Sequence, residues 1–197
     1  MPRLVTQRLL LRPFARTDAA EFSRLAGDWA VASMTSDIPH PLSEAQARAW
    51  LRPGRGEVRF AIDLRGQLIG GTGFYRRHSG AAEVGFWLGR DWWGRGYATE
   101  ATSAAMSYGV RVLRVPGFTS SHFVDNLVSA SVLRKLGFEP VGRGRIISTA
   151  RGHDVEALTH WLDGKRAREC LPDASAFLAD DTPRWRAWLG RIVGRAV

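Results

Sequence analysis

The chain has 197 residues, 45% hydrophobic and 24% charged, with a formal net charge of +9 and a single cysteine, Cys170. These values describe one globular domain, with or without an appendage, and enough chain for a real core. They exclude an internal disulfide framework and a cysteine-based metal cluster, and no apolar run reaches the length of a membrane span. The positive charge is almost all arginine scattered along the chain, Lys135 and Lys165 being the only lysines. Without zinc spacing, a recognition motif or a basic helix it makes no nucleic-acid signature, although it would help to gather an anionic substrate. The opening residues, MPRLVTQRLLLR, lack the apolar stretch and cleavage site of a secretory signal, so the expected location is cytoplasmic.

Residues 4–14 alternate Leu9 and Leu11 with Arg8, Leu10 and Arg12, which predicts one opening strand ending near Pro13. Thr17 is placed to cap a helix with Asp18 in its first turn and Phe22, Leu25 and Ala26 on one face. Residues 29–42, with prolines at 39 and 41, read as a loop, and Ser43-x-x-Gln46 is a capping box for a helix carrying Ala47, Trp50 and Leu51. Residues 58–64 and 67–75 read as strands joined at Arg65-Gly66. Gly70, Gly71 and Gly73 inside the second strand imply a bulge or a close backbone approach.

A central strand follows at 82–88, where Val84, Phe86 and Leu88 alternate with Glu83, Gly85 and Trp87. The chain then breaks at Gly89, Gly94 and Gly96, and from Ala98 it reads as a helix with Ala101, Ala105, Tyr108 and Val112 on one face. A strand, a glycine loop and a helix start without a serine or aspartate cap leave backbone N–H groups for a phosphate. The loop is not a P-loop, because Arg95-Gly96 stands where Lys-Ser/Thr is required. It also lies too far along the chain for the first turn of a dinucleotide-binding unit.

A fifth strand is predicted at 116–124. Asp125 or Asn126 then starts a helix that stops at Gly137-Phe138, with Phe138 reaching back to Leu133. Residues 141–148 and 153–162 read as a closing hairpin around Arg151-Gly152. Together these elements predict a mixed α/β (α+β) fold with a central, mostly antiparallel twisted sheet flanked by helices. The domain spans 1–163, followed by a C-terminal amphipathic helical extension at 164–197. In the extension, Phe177, Trp185, Trp188, Leu189 and Ile192 line one side and Arg184, Arg186, Arg191 and Arg195 the other, which suits packing on the domain or pairing into a homodimer better than membrane contact.

Three stretches resemble one family. Trp93-Gly94-Arg95-Gly96-Tyr97-Ala98 resembles the pyrophosphate loop Q/R-x-x-G-x-G/A of the GNAT acetyltransferases, with Trp93 standing at the Gln/Arg position. Asn126-x-x-Ser129 with Val132-Leu133-Arg134-Lys135-Leu136-Gly137-Phe138 resembles a second hallmark of that superfamily, and Thr6-x-Arg8-Leu9-x-Leu11-Arg12-Pro13 followed by Asp18-Ala19 resembles the opening signature of its RimJ/RimL-type branch. The resemblance covers roughly residues 4–163 and implies the GNAT fold and an acetyl-CoA-dependent N-acetyltransferase without a metal.

By that resemblance the cofactor would be held by Trp93, Gly94, Arg95, Gly96, Tyr97, Ala98 and Thr99, by backbone groups of Phe86, Trp87 and Leu88, and by Asn126. Ser129 would return a proton to the CoA thiolate. Asn126 is equally a good N-cap, and serine is common in a first helical turn. Transfer needs a base for the ammonium of a primary amine. Glu83 stands where the family often carries a carboxylate, among apolar neighbours that would raise its pKa. It can equally be a strand-end glutamate facing solvent or an arginine, and His122 is an alternative base or relay. The helical pair and its loop would line the acceptor groove, making Trp29, Met34, Ile38 and His40 candidates for substrate contact, although the apolar three can equally close the core. Cys170 lies outside every matched motif, which favours direct attack by the amine over an acyl-enzyme. The expected acceptor is a protein N-terminal α-amine or an amino-acid-like amine. The alternatives are a polyamine or aminoglycoside, and a non-catalytic CoA-binding module.

Overall fold

The computed structural model describes residues 1–173 except 53, 55 and 77–79, together with the backbone of 178 and 179. Its strands are β1 (Arg3–Val5), β2 (Leu10–Arg12), β3 (Glu57–Leu64), β4 (Gln67–Arg76), β5 (Ala82–Leu88), β6 (Gly117–Phe123), β7 (Glu139–Ser148), β8 (His153–Asp163) and β9 (Leu178–Ala179). The helices are α1 (Ala19–Ala26), α2 (Trp29–Ala32), α3 (Glu44–Trp50), α4 (Tyr97–Arg111), α5 (Leu127–Lys135) and α6 (Gly164–Cys170). All the strands join one sheet in the order β7-β8-β6-β5-β4-β3-β2-β1-β9, antiparallel except where β5 lies beside β6.

The opening strand is in fact a hairpin. Thr6 turns the chain: its N–H donates to the Leu9 carbonyl at 2.9 Å and its hydroxyl oxygen accepts the Leu9 N–H at 3.0 Å, so that Leu4 pairs with Leu11. A local side-chain bond of this kind competes with strand continuation and is invisible to an alternation pattern. Thr17 is not the cap of α1 either. A 3-10 turn (Arg16–Asp18) precedes that helix, and the Asp18 carboxylate closes it by accepting the Ala15 N–H at 2.7 Å. Burial alone would raise the Asp18 pKa, but hydrogen bonds from Arg12 and Ala15 hold it below the ordinary carboxylate value. Arg12 also reaches Asp63 on β3 at 3.0 Å, so one guanidinium ties β2, β3 and the start of α1 together.

Other local signals hold. Ser43 and Gln46 form the capping box of α3. Asn126 caps α5 by accepting the Ser129 N–H at 3.0 Å. Gly137 adopts φ +89°, and the Phe138 N–H reaches the Leu133 carbonyl at 3.1 Å. The glycines of β4 mark both a bulge and a close approach: Ile62 faces Gly70 while Asp63 faces Leu68, and a Cβ on Gly73 would lie 2.1 Å from the Val58 carbonyl oxygen. The loop at 29–42 contains the short helix α2, capped by Asp28.

Two apolar clusters pack the sheet. One joins Phe22 and Leu25 of α1 to Phe60, Ile62 and the first half of α4; the other joins Met106 and Val110 of α4 to Phe118, Leu133 and Leu162. Each such side chain contributes about 1.5–3 kcal/mol on burial. Helix α4 is buried on most sides, and Val112, expected on its inner face, is exposed. Helix α6 packs on α4 and buries Ala167, with Leu171 buried just beyond its end, while β9 adds its backbone to the edge beside β1. The stripe from Phe177 to Ile192 and the arginines at 184–195 lie outside the described residues.

Candidate active site

Strands β5 and β6 pair at two positions only, Ala82 with Phe118 and Glu83 with Thr119. One residue further, the Ser120 hydroxyl holds the Val84 carbonyl at 2.9 Å; past that point the ladder ends. Strand alternation puts the backbone groups of Phe86 and Leu88 on the same side as those of Val84, along the unpaired edge. Trp87 turns the other way. Its carbonyl lies over Gly70 of β4 and its ring packs edge-on against Phe22, so it supplies wall and not an edge donor.

Two cavities open at this gap. The larger, about 800 Å³, runs from Trp29 past Phe86 and Leu88 to the glycine loop, with Lys135 at the far end of α5. The smaller, about 290 Å³, extends from the gap over β3, β4 and β5. Met34, Thr35, Phe86, Trp87, Asn126 and Ser129 line both, so the cavities meet at the gap.

The wall of the larger cavity suits an anion. Gly94 and Gly96 take φ of +74° and +78°, which favours glycine. Gly96 caps α4 without a side-chain bond, leaving the first-turn N–H groups of Tyr97, Ala98 and Thr99, all lining residues, for a ligand. Trp93 donates its indole N–H to the Leu88 carbonyl at 2.8 Å, bracing the loop internally. Arg95 does not line the cavity. Its carbonyl accepts from Arg8 at 3.0 Å, and Arg8 is itself paired with Glu100 at 2.6 Å and stacked 4.5 Å over the Tyr97 ring.

The smaller cavity is acidic. Asp37, Glu57 and Glu83 line it from a loop, β3 and β5. Glu83 accepts the Tyr75 hydroxyl at 2.6 Å across the β4–β5 ladder. His122 is buried, with Nδ1 2.7 Å from the Phe123 carbonyl. A carbonyl only accepts, so Nδ1 carries a proton, while the buried Nε2 has no hydrogen-bond partner among the described residues. The His160 ring lies 5.1 Å away, and burial, then the neighbouring His122, pushes its pKa below the ordinary value.

The structure therefore brings Met34, Ile38, Glu83, Phe86, Trp87, His122, Asn126 and Ser129 together around the smaller cavity. Asn126 spans the junction, since its amide also donates to the Met34 carbonyl at 3.3 Å. Trp29 lies on the larger cavity instead, and His40 lines neither, its Nδ1 being 2.7 Å from the Gly27 carbonyl. Sequence reasoning missed Glu57 and Tyr75, which only the strand register could have placed. It also missed Arg151, which bonds Asp125 at 2.8 Å and the Ser33 carbonyl at 2.7 Å and so pins the β7–β8 turn over the 33–36 loop.

The sequence model of the acetyltransferase (GNAT) domain matches residues 8–139. The chain is 32% identical over 152 residues to the uncharacterized N-acetyltransferase YoaA of Bacillus subtilis, covering 72% of this chain and 85% of the relative. It is 30% identical over 126 residues to the L-amino acid N-acetyltransferase AaaT of Escherichia coli, covering 62% and 78%. Among solved structures, Mycobacterium smegmatis RimJ in complex with CoA-disulfide superposes with a TM-score of 0.73 at 19% identity, covering 89% of this chain and 90% of that one.

Proposed function

The chain belongs to the GNAT acetyltransferase family and is an N-acetyltransferase, and from that premise we propose that it moves the acetyl group of acetyl-CoA directly to a primary amine, with no covalent enzyme intermediate. The observation that carries this reading is the junction: an anion-suited cavity and an acidic cavity meet at the unpaired edge of β5. Acetyl-CoA, once bound, supplies an activated thioester. The α4 N–H groups at 97–99 would hold its pyrophosphate, Lys135 would add positive charge at the other end of the groove, and Asn126 with the edge groups of Phe86 and Leu88 would hold the pantetheine. The edge N–H groups are the donors for charge developing on the thioester oxygen.

The acceptor enters the smaller cavity as an ammonium. Glu83 takes its proton through water, since three residues of strand, about 10 Å, separate Glu83 from Phe86. The neutral amine then attacks the thioester carbon, the carbon–sulfur bond breaks, the nitrogen sheds its surplus proton to water, and Ser129, reprotonated from that water, delivers a proton to the departing sulfur. Cys170 lines neither cavity, in keeping with direct transfer. The acceptor class follows the branch, a protein N-terminal α-amine or an amino-acid-like amine. A thiol-release assay with acetyl-CoA against peptides, amino acids, polyamines and aminoglycosides tests it. Release with the first two is expected; preference for the polycations would reverse the acceptor assignment, and CoA binding without release for any amine would mean a binding module.

A further inference from the structure

Four glycines lie inside β4 and β5, and three of them have their space taken by neighbouring atoms. A Cβ on Gly70, Gly71 or Gly73 would come within 2.3, 2.7 or 2.1 Å of the Trp87 carbonyl oxygen, the Trp87 indole nitrogen or the Val58 carbonyl oxygen respectively. Gly85 is different. A Cβ there would meet nothing within 4 Å beyond its chain neighbours, and its φ is not left-handed. Its carbonyl accepts the Thr72 hydroxyl at 3.2 Å, so the strand would keep its path around an added side chain. A glycine inside a strand costs stability and packs nothing, and such a position often marks where a ligand approaches the backbone. Gly85 is exposed in mid-sheet, and the space above it belongs to the smaller cavity.

Strand alternation puts position 85 on the face that carries Glu83 and Trp87, and the register sets it beside Gly73. The result is a floor of bare backbone two strands wide, bounded along the strands by Trp87 at one end and by the Tyr75–Glu83 pair at the other. Trp87 is one of three lining rings, with Phe14 and Trp50, that all pack against Phe22, at centroid distances of 5.1, 5.9 and 4.6 Å. A fixed apolar wall beside a bare floor suits an apolar group. Phe86, whose edge groups meet the thioester in the proposed complex, is one residue from Gly85, about 3.4 Å along the strand. An amine that attacks there sets the substituent of its own carbon over Gly85.

We infer that Gly85 is a specificity-determining residue of the acceptor site: its missing side chain admits a bulky apolar substituent, of leucine or phenylalanine size, on the carbon that bears the reacting amine. This rests on the acetyltransferase reading and adds what the acceptor carries beside its amine.

The test measures CoA release from acetyl-CoA with amino acid amides and with tripeptides, each carrying glycine, alanine, leucine or phenylalanine as the residue that bears the amine. In whichever form the wild-type protein turns over, kcat/KM should rise from glycine to leucine or phenylalanine by about tenfold or more, the scale of an apolar group filling a pocket. Gly85→Ala should lower the phenylalanine-to-glycine ratio by about tenfold, whatever happens to the absolute rates. Gly85→Val should reverse the order, and neither variant should melt below the wild-type protein. A wild-type order that is flat or favours glycine overturns the inference and leaves acetyl transfer standing, as does release only with amines that lack such a substituent. An unchanged ratio in both variants overturns it too, and so does a fall in melting temperature in both, which would show that the fold itself requires the glycine. No release with any amine removes the acetyltransferase reading and this inference with it.

Discussion

Arg8 shows how much one side chain can arrange around a loop it does not belong to. Its guanidinium pairs with Glu100 in the first turn of α4, donates to the Arg95 carbonyl and covers the Tyr97 ring. Glu100 also accepts from the Thr6 hydroxyl at 2.6 Å and the Arg8 N–H at 2.9 Å, so the opening hairpin braces the glycine loop from behind. Arg8 is partly exposed, so the contribution is about 1 kcal/mol. Arg8→Gln should therefore raise KM for acetyl-CoA about fivefold and leave kcat within about twofold, as steady-state kinetics with acetyl-CoA varied would show. At this scale the sequence identified Arg8, Arg12 and Asp18 as a pattern without their partners. Glu100 and Asp63 lie 92 and 51 residues away along the chain from Arg8 and Arg12, and no local periodicity encodes such a meeting.

The elements were the most legible level, for a physical reason. The α3 capping box, the Asn126 cap, the Gly137 stop and the Arg65-Gly66 turn are bonds or dihedral angles made within a few residues, so the local sequence specifies them. The opening hairpin was misread because both its arms keep the same alternation, and the turn between them rests on one residue, Thr6, bonded to Leu9 through its N–H and its hydroxyl. The acidic cavity was legible only through Glu83, since the loop and β3 bring Asp37 and Glu57 beside it by a register that no local sequence encodes. The glycine loop tests the element directly. A β-branched side chain at Gly96 must adopt φ near +78°, and its Cβ would lie 3.4 Å from the Arg8 guanidinium. Gly96→Val should abolish the rise in melting temperature produced by saturating acetyl-CoA, a shift equivalent to about 2.7 kcal/mol at a hundredfold excess over Kd in the wild-type protein.

For the molecule as a whole, acid should act in two stages. The His160 pKa is depressed below its ordinary 6.5, so the unfolded chain binds this proton more readily than the folded one. Its stabilising contribution is complete above that value and is lost as pH falls through the lower folded value. Asp18, depressed below 3.8, behaves likewise at more acidic pH. Urea midpoints measured between pH 7 and 5 should decline in the wild-type protein and decline less in His160→Gln, with the steeper loss below pH 4 retained in that variant.

The short pairing of β5 with β6 also bears on how such a protein can diversify. Two rungs are the whole of the ladder that joins the plate formed by β6, β7 and β8 to the remainder of the sheet, with the Ser120 hydroxyl on the Val84 carbonyl and side-chain packing supplying the rest. A substitution anywhere in that plate's packing can therefore change its tilt without tearing a ladder, and the tilt sets the width of the gap. Descendants of this chain can acquire acceptors of a new size through changes remote from either cavity, while the glycine loop, anchored on the other plate, stays as inherited.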